Sequence, residues 1–276
     1  MSHNISYAII GDATKKSKFG PPIKIIYATP SIKEGTGFEV EECLDRSTFD
    51  FLHELDVSNA YLAYKEQRLK QTIASVFYTR IRLKTGQSVY LECTISFCYT
   101  WVVGTCRVID SINIVDFWSR NALAEAIYLI DEAGVTRIEE KMVYRRNSEF
   151  HSSIIYQDPF DSANLKLEMR AAFLLDHYTH RCDILFCTDS VKELFGLCPE
   201  DMVGTSFFSH IHEDDLAEVH EEIEDLKSEA SIIKMYFTIT CPVGNIDVEM
   251  YGIHTRDALA IIIREDTSFK SFSEIH

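Results

Sequence analysis

One stretch of this chain occurs twice, and the repeat constrains the fold more than any single motif. Residues 25–57 (IIYATPSIKEGTGFEVEECLDRSTFDFLHELDV) lie over residues 184–216 (ILFCTDSVKELFGLCPEDMVGTSFFSHIHEDDL) without a gap, at a constant offset of 159. Ile25, Thr29, Ser31, Lys33, Glu34, Gly37, Glu41, Ser47, Phe49, His53, Glu54 and Asp56 recur unchanged, 12 of 33 positions, and many others are apolar in both copies. Matching of this density points to a duplicated domain. A length of 276 residues fits about two domains.

Each copy shows the same order of elements. In the later one, Ile184–Cys187 is a short apolar run of the kind buried in a sheet. Thr188, Asp189 and Ser190 can cap a helix over Val191–Phe195 that Gly196 ends. Pro199 opens a second turn that Gly204 closes, and Phe207, Phe208 and Ile211 form a third. His212-Glu213-Asp214-Asp215 then starts a long acidic helix to Lys227. Strands are expected at Ala171–Asp176, Ser231–Thr240, Ile246–His254 and Ala258–Arg264, with Cys241–Asn245 as a turn. The earlier copy repeats this. Strands are expected at Ser6–Ile10, Ile23–Ala28, Ser75–Arg82, Ser88–Tyr99 and Trp101–Ile109, with a helix over Ser58–Ile73. The turn glycines Gly86 and Gly244 match, as do the strand glutamates Glu92 and Glu249 with a small shift of register.

Between the copies, Ile114, Phe117, Trp118, Ala122, Ala126 and Leu129 fall on one helical face, which predicts an amphipathic helix. That helix packs on the first domain or on another chain, and Phe117 and Trp118 are its interface candidates. Asp131–Gly134 either ends the helix or turns a hairpin between Tyr128–Ile130 and Val135–Ile138. Residues 147–165 read as a polar linker. The expected division is therefore domain 1 over 1–110, a linker with an amphipathic helix over 111–170, domain 2 over 171–266 and a polar tail over 267–276.

Composition excludes several functions. A formal net charge of −16 repels phosphate backbones, and no basic stripe opposes it, so direct nucleic-acid binding is not expected. No apolar run reaches the roughly 18 residues of a membrane helix, and the first residues do not form a signal peptide. The eight cysteines lack zinc-ligand spacing and mostly sit in apolar strands, as reduced thiols of a cytoplasmic or nuclear protein would. No nucleophile elbow, phosphate loop or metalloprotease motif appears, and no catalytic residues are assigned.

Both copies resemble PAS domains. The likeness rests on Leu52-His53-Glu54-Leu55-Asp56 and Arg82–Gln87 through Glu92-Cys93 in the first copy, and on Arg170–Leu175 and Ile184 through Asp215 in the second. The pattern is similar to fungal regulators of the white-collar type without their zinc finger. It implies an α+β fold of two five-stranded antiparallel sheets, each with short helices on one face. It also implies a non-enzymatic sensory and interaction role in signal transduction and transcription regulation, through dimerisation with itself or another PAS protein. The cysteine that light-sensing relatives add to flavin has no counterpart in Ser47-Thr48-Phe49-Asp50 or Ser206-Phe207-Phe208-Ser209. Haem-binding relatives take a ligand from the long helix, where His220 stands among Glu218, Glu221 and Glu222. A haem or flavin sensor is thus the alternative, with His220 as the cofactor candidate. Phe186, Leu194, Phe195, Met202, Phe207, Phe208 and Met250 are the expected cavity-lining residues of the second domain, and seven such side chains leave little room for a tetrapyrrole.

Overall fold

A computed structural model describes residues 5–14, 23–112, 120–139, 142–146, 168–228 and 231–266. The chain divides into two compact units, one of Met1–Leu167 with Thr255–Asp257 and one of Glu168–His254 with Ala258–His276.

In the second unit, β9 (Arg170–Leu175) and β10 (Ile184–Cys187) form a hairpin. Two short helices follow, α4 (Ser190–Phe195) and α5 (Pro199–Met202), then a 3₁₀ turn (Phe207–His210) and the long helix α6 (Leu216–Ser228). β11 (Ile232–Cys241), β12 (Gly244–His254) and β13 (Leu259–Glu265) complete an antiparallel sheet of order β10-β9-β13-β12-β11. Gly196 stops α4 because its φ of 65° lies in the left-handed region, which glycine enters without steric cost. Thr188 and Ser190 do not cap that helix. Thr188 Oγ1 accepts the Ala172 amide at 3.0 Å and Ser190 Oγ donates to the Arg170 carbonyl at 2.6 Å, so both hydroxyls pin the helix to β9.

The first unit opens with the same arrangement. β1 (Ser6–Asp12) and β2 (Lys24–Ala28) lead into α1 (Ile32–Thr36), α2 (Val40–Cys43), a 3₁₀ turn (Thr48–Phe51) and α3 (Val57–Lys70). β3 (Ser75–Arg82), β4 (Ser88–Cys98) and β5 (Trp101–Ile109) follow, in the order β2-β1-β5-β4-β3. Thr29 Oγ1 accepts the Ala8 amide at 2.9 Å, the counterpart of the Thr188–Ala172 bond.

Two expectations need correction here. The first sheet is not five-stranded: β6 (Ala126–Asp131), β7 (Gly134–Glu139) and β8 (Met142–Arg146) extend it to eight strands, and β6 runs parallel to β3, so the sheet is mixed. Nor is the segment after 110 simply a helical linker. Ala126 and Leu129, read as one helical face, lie in β6, and Asp131 faces Gly134 across the alternative hairpin. Ala-Ile-Tyr-Leu-Ile is apolar at nearly every position, so a helical period can be drawn through it. β6 pairs with the Ser75–Tyr78 edge of β3, and that tertiary gain decides its conformation. Ile114, Phe117 and Trp118 lie outside the described residues, as do residues 147–165 and 267–276.

Candidate functional site

The short helices of each copy face one side of its sheet, and the space between is where the two copies differ. In the second unit it is filled. Phe195 (0% exposed), Phe207 (2%) and Met250 (0%) share one buried cluster with Met202, Phe173, Ile261 and Ile263, and Leu194 and Phe208 pack against it. Rings interlock there: Phe207 meets Phe173 edge-on at 5.7 Å and Phe237 at 6.3 Å. Six of the seven expected cavity-lining residues thus come together in or against one buried cluster. Phe186 is half-buried on β10 and outside that cluster.

In the first unit the same space holds a partly open cavity of about 110 Å³. One of its walls is the cluster around Phe49, Tyr64 and Phe77, another that around Ile25, Cys43 and Cys106, and Ile130 of β6 also reaches it. The cause is a set of small residues. At the offset of 159, Thr36, Cys43 and Thr48 stand where the second copy has Phe195, Met202 and Phe207. Beyond the β3–β4 turn the offset becomes 157, because the pair Glu92–Arg107 corresponds to Glu249–Arg264. There Cys93, Gly104 and Cys106 replace Met250, Ile261 and Ile263. All six small residues line the cavity. Tyr7 returns part of the volume, since it faces Cys106 where Ala171 faces Ile263. These residues escape a search for shared motifs. The signal that finds them is the size difference between aligned copies, not identity.

Polar groups fix the frame around this space. Asp56, fully buried, accepts the Arg80 amide at 3.1 Å and the guanidinium at 3.0 Å (Nε) and 2.6 Å (Nη2). In the second unit Asp215 accepts the Thr238 amide at 2.7 Å. His53 Nδ1 accepts the Leu55 amide and His212 Nδ1 the Asp214 amide, both at 3.3 Å, so the paired histidines cap the turn before each long helix. On the face of each sheet away from its short helices, a glutamate joins neighbouring strands. Glu92 takes Arg107 Nη2 at 2.7 Å and the Tyr78 hydroxyl; Glu249 takes Lys234 and Arg264. Burial alone would raise the Glu249 carboxyl, but hydrogen bonds from Lys234 and Arg264 outweigh it and hold the group below the usual carboxylate range.

His220 is half-buried on α6, its ring 4.8 Å from that of Phe208, in the unit whose core is filled. The cavity lies in the other unit, where Tyr61 takes the corresponding place on α3. Among the described residues no group of three or more His, Cys, Asp or Glu side chains is placed to hold a metal ion. The eight cysteines are free, and Cys43, Cys93, Cys98, Cys106, Cys182 and Cys187 are buried. No described helix is long and apolar enough to cross a membrane.

No curated protein matches the chain in sequence. Among solved structures, the PAS domain of the quorum-sensing receptor RpfR from Cronobacter turicensis, in complex with BDSF, is similar at a TM-score of 0.32 and 12% identity, over 35% of this chain and 92% of that one. The PAS-B domain of Drosophila melanogaster Cycle with bound ethylene glycol is similar at 0.29 and 16%, over 35% and 96%. The family model described as PAS fold matches residues 184–247. The second unit of the chain therefore carries a PAS fold, the fold of a signal-sensing and interaction module.

Proposed function

We propose that the chain is a tandem PAS signalling protein whose first copy takes up a small apolar ligand while its second relays by contact. The observation that carries this reading is the unequal pair of cores: the same fold space holds six large side chains in one copy and about 110 Å³ of apolar cavity in the other. An apolar cavity of about 150 Å³ stays dry and binds benzene or xenon, so a molecule near that size suits this one. A tetrapyrrole or flavin needs far more room, which sets the cofactor-sensor alternative behind. Occupancy biases the protein only as far as the ligand prefers one state of the first unit over another.

The rest of the reading comes from the sequence. The first copy shares the strand order and helix order of the second, which supports a second PAS domain. The protein is read as non-enzymatic, placed in the cytoplasm or nucleus, and acting on transcription through itself or another PAS protein, as the resemblance to white-collar-type regulators implies. A net charge of −16 supports action through a partner rather than on DNA directly.

The test is thermal denaturation with and without benzene, for the natural chain and for Thr48→Phe, which restores the second copy's residue. Benzene should raise the melting temperature of the natural chain and leave that of Thr48→Phe unchanged. An equal shift in both, or none in the natural chain, would remove the ligand-binding reading.

A further inference from the structure

The pairing of β4 with β5 sets Cys93 directly opposite Cys106, and the two Sγ atoms lie 3.2 Å apart. Both side chains are buried and both line the cavity of the first unit. The fold does not demand sulfur here, because the second unit carries Met250 and Ile263 at the same registers. We propose that Cys93 and Cys106 form a redox modification site, a cavity-wall dithiol that small hydroperoxides convert to a disulfide.

The geometry admits the bond. Directly opposed residues of an antiparallel pair have Cα atoms about 4.5–5.5 Å apart, within the range of about 4.4–6.8 Å that disulfides span. The sulfurs need to close by only about 1.2 Å to reach the usual bond length of about 2.0 Å. The chemistry balances with a hydroperoxide as oxidant. One sulfur, as thiolate, attacks the peroxide; the O–O bond breaks, an alcohol leaves and a sulfenic acid remains. The second sulfur then displaces that hydroxyl as water. Two thiols and one hydroperoxide give one disulfide, one alcohol and one water.

Burial decides which oxidants can act. The Cys93 thiol is held well above its ordinary value, first by its hydrogen bond with Cys106 and then by desolvation, so its thiolate is scarce, oxidation is slow, and the size of the oxidant decides which one reaches the sulfur. Glutathione disulfide is too bulky to enter a cavity of about 110 Å³, whereas a peroxide is not. Oxidation changes the wall of that cavity and so couples an oxidant to the space itself. The disulfide does not depend on the ligand-binding reading.

The experiment uses the full chain, with exposed thiols, Cys198 among them, first blocked by N-ethylmaleimide. It is then treated with hydrogen peroxide or with glutathione disulfide, denatured, alkylated and mapped by mass spectrometry. The expected result is a loss of two hydrogens with peroxide, assigned by fragmentation to Cys93–Cys106 and reversed by a thiol reductant. Cys98→Ser should retain it, Cys106→Ala should lose it, and glutathione disulfide should not produce it. Absence of the cross-link in the natural chain, a link to Cys98 or Cys43 instead, or equal reaction with glutathione disulfide would overturn the proposal.

Discussion

At the scale of single residues, one buried carboxylate and two half-buried histidines make opposite demands on pH and partners. Asp56 satisfies both the backbone and the side chain of Arg80, and the desolvated carboxylate pulls the guanidinium above its usual range. Removing the carboxylate strands an amide and a cation whose hydrogen bonds to charged groups are worth about 1.5–3 kcal/mol. Asp56→Ala should lower the unfolding free energy by about that much in urea titrations. A loss below about 0.5 kcal/mol, the level of an ordinary surface change, would show that the contact is not structural. In the second unit, burial pushes His210 below its ordinary value, and burial together with His177 does the same to His254. A histidine lowered in the folded state binds fewer protons there than in the unfolded chain. Its neutral form is favoured, and stability is lost as pH falls through the unfolded value of about 6.5. The urea midpoint should therefore drop between pH 7.5 and 5.5, and drop less in a His210→Asn, His254→Asn double variant. Equal drops would assign the acid sensitivity to other groups.

At the scale of elements, most of the chain was legible because local signals agreed with the fold. Ser75–Arg82 and Trp101–Ile109 carry β-branched and aromatic runs bounded by turn residues, and both strands fall where the pattern places them. Glycine-ended short helices at 37 and 196 were equally readable, since a left-handed terminus leaves few other choices. β6 is readable only as one of two alternatives, helix or hairpin, because an uninterrupted apolar run carries no period of its own and its strand state depends on an edge 51 residues earlier in the chain. The site was legible only in part. The large residues of the second copy stand out in the sequence and lie in or against a buried cluster, while Thr36, Cys43 and Thr48 do not stand out because a cavity is written as missing volume. β6 also has an energetic role. Tyr128 stacks on Phe77 at 5.3 Å, and its hydroxyl receives Gln67 Nε2 from α3. A fragment of residues 1–110 would leave the β3 edge and Phe77 uncovered, an arrangement prone to edge-to-edge association. That fragment should aggregate or melt without cooperativity, whereas residues 1–146 should unfold cooperatively. Equal cooperativity in both would make β6–β8 an appendage.

At the scale of the whole molecule, the two units share one order of strands and short helices and differ in their interiors. Close packing is the ordinary state of a protein core, and a retained void forfeits contacts that its lining side chains would otherwise make. The second copy follows that rule, and the first departs from it at six positions spread over helices and strands. Strain from overpacking does not force the departure, since the same fold accommodates the large residues elsewhere in this chain. Ligand uptake is the use we propose for that void. The central claim is best tested by xenon titration of the isotopically labelled chain, followed by amide NMR. The account predicts saturable shifts centred on Thr36, Cys43, Thr48, Cys93 and Gly104, with none at Phe195, Met202, Phe207, Met250 and Ile261. Equal shifts at both sets, or shifts confined to the second, would contradict it.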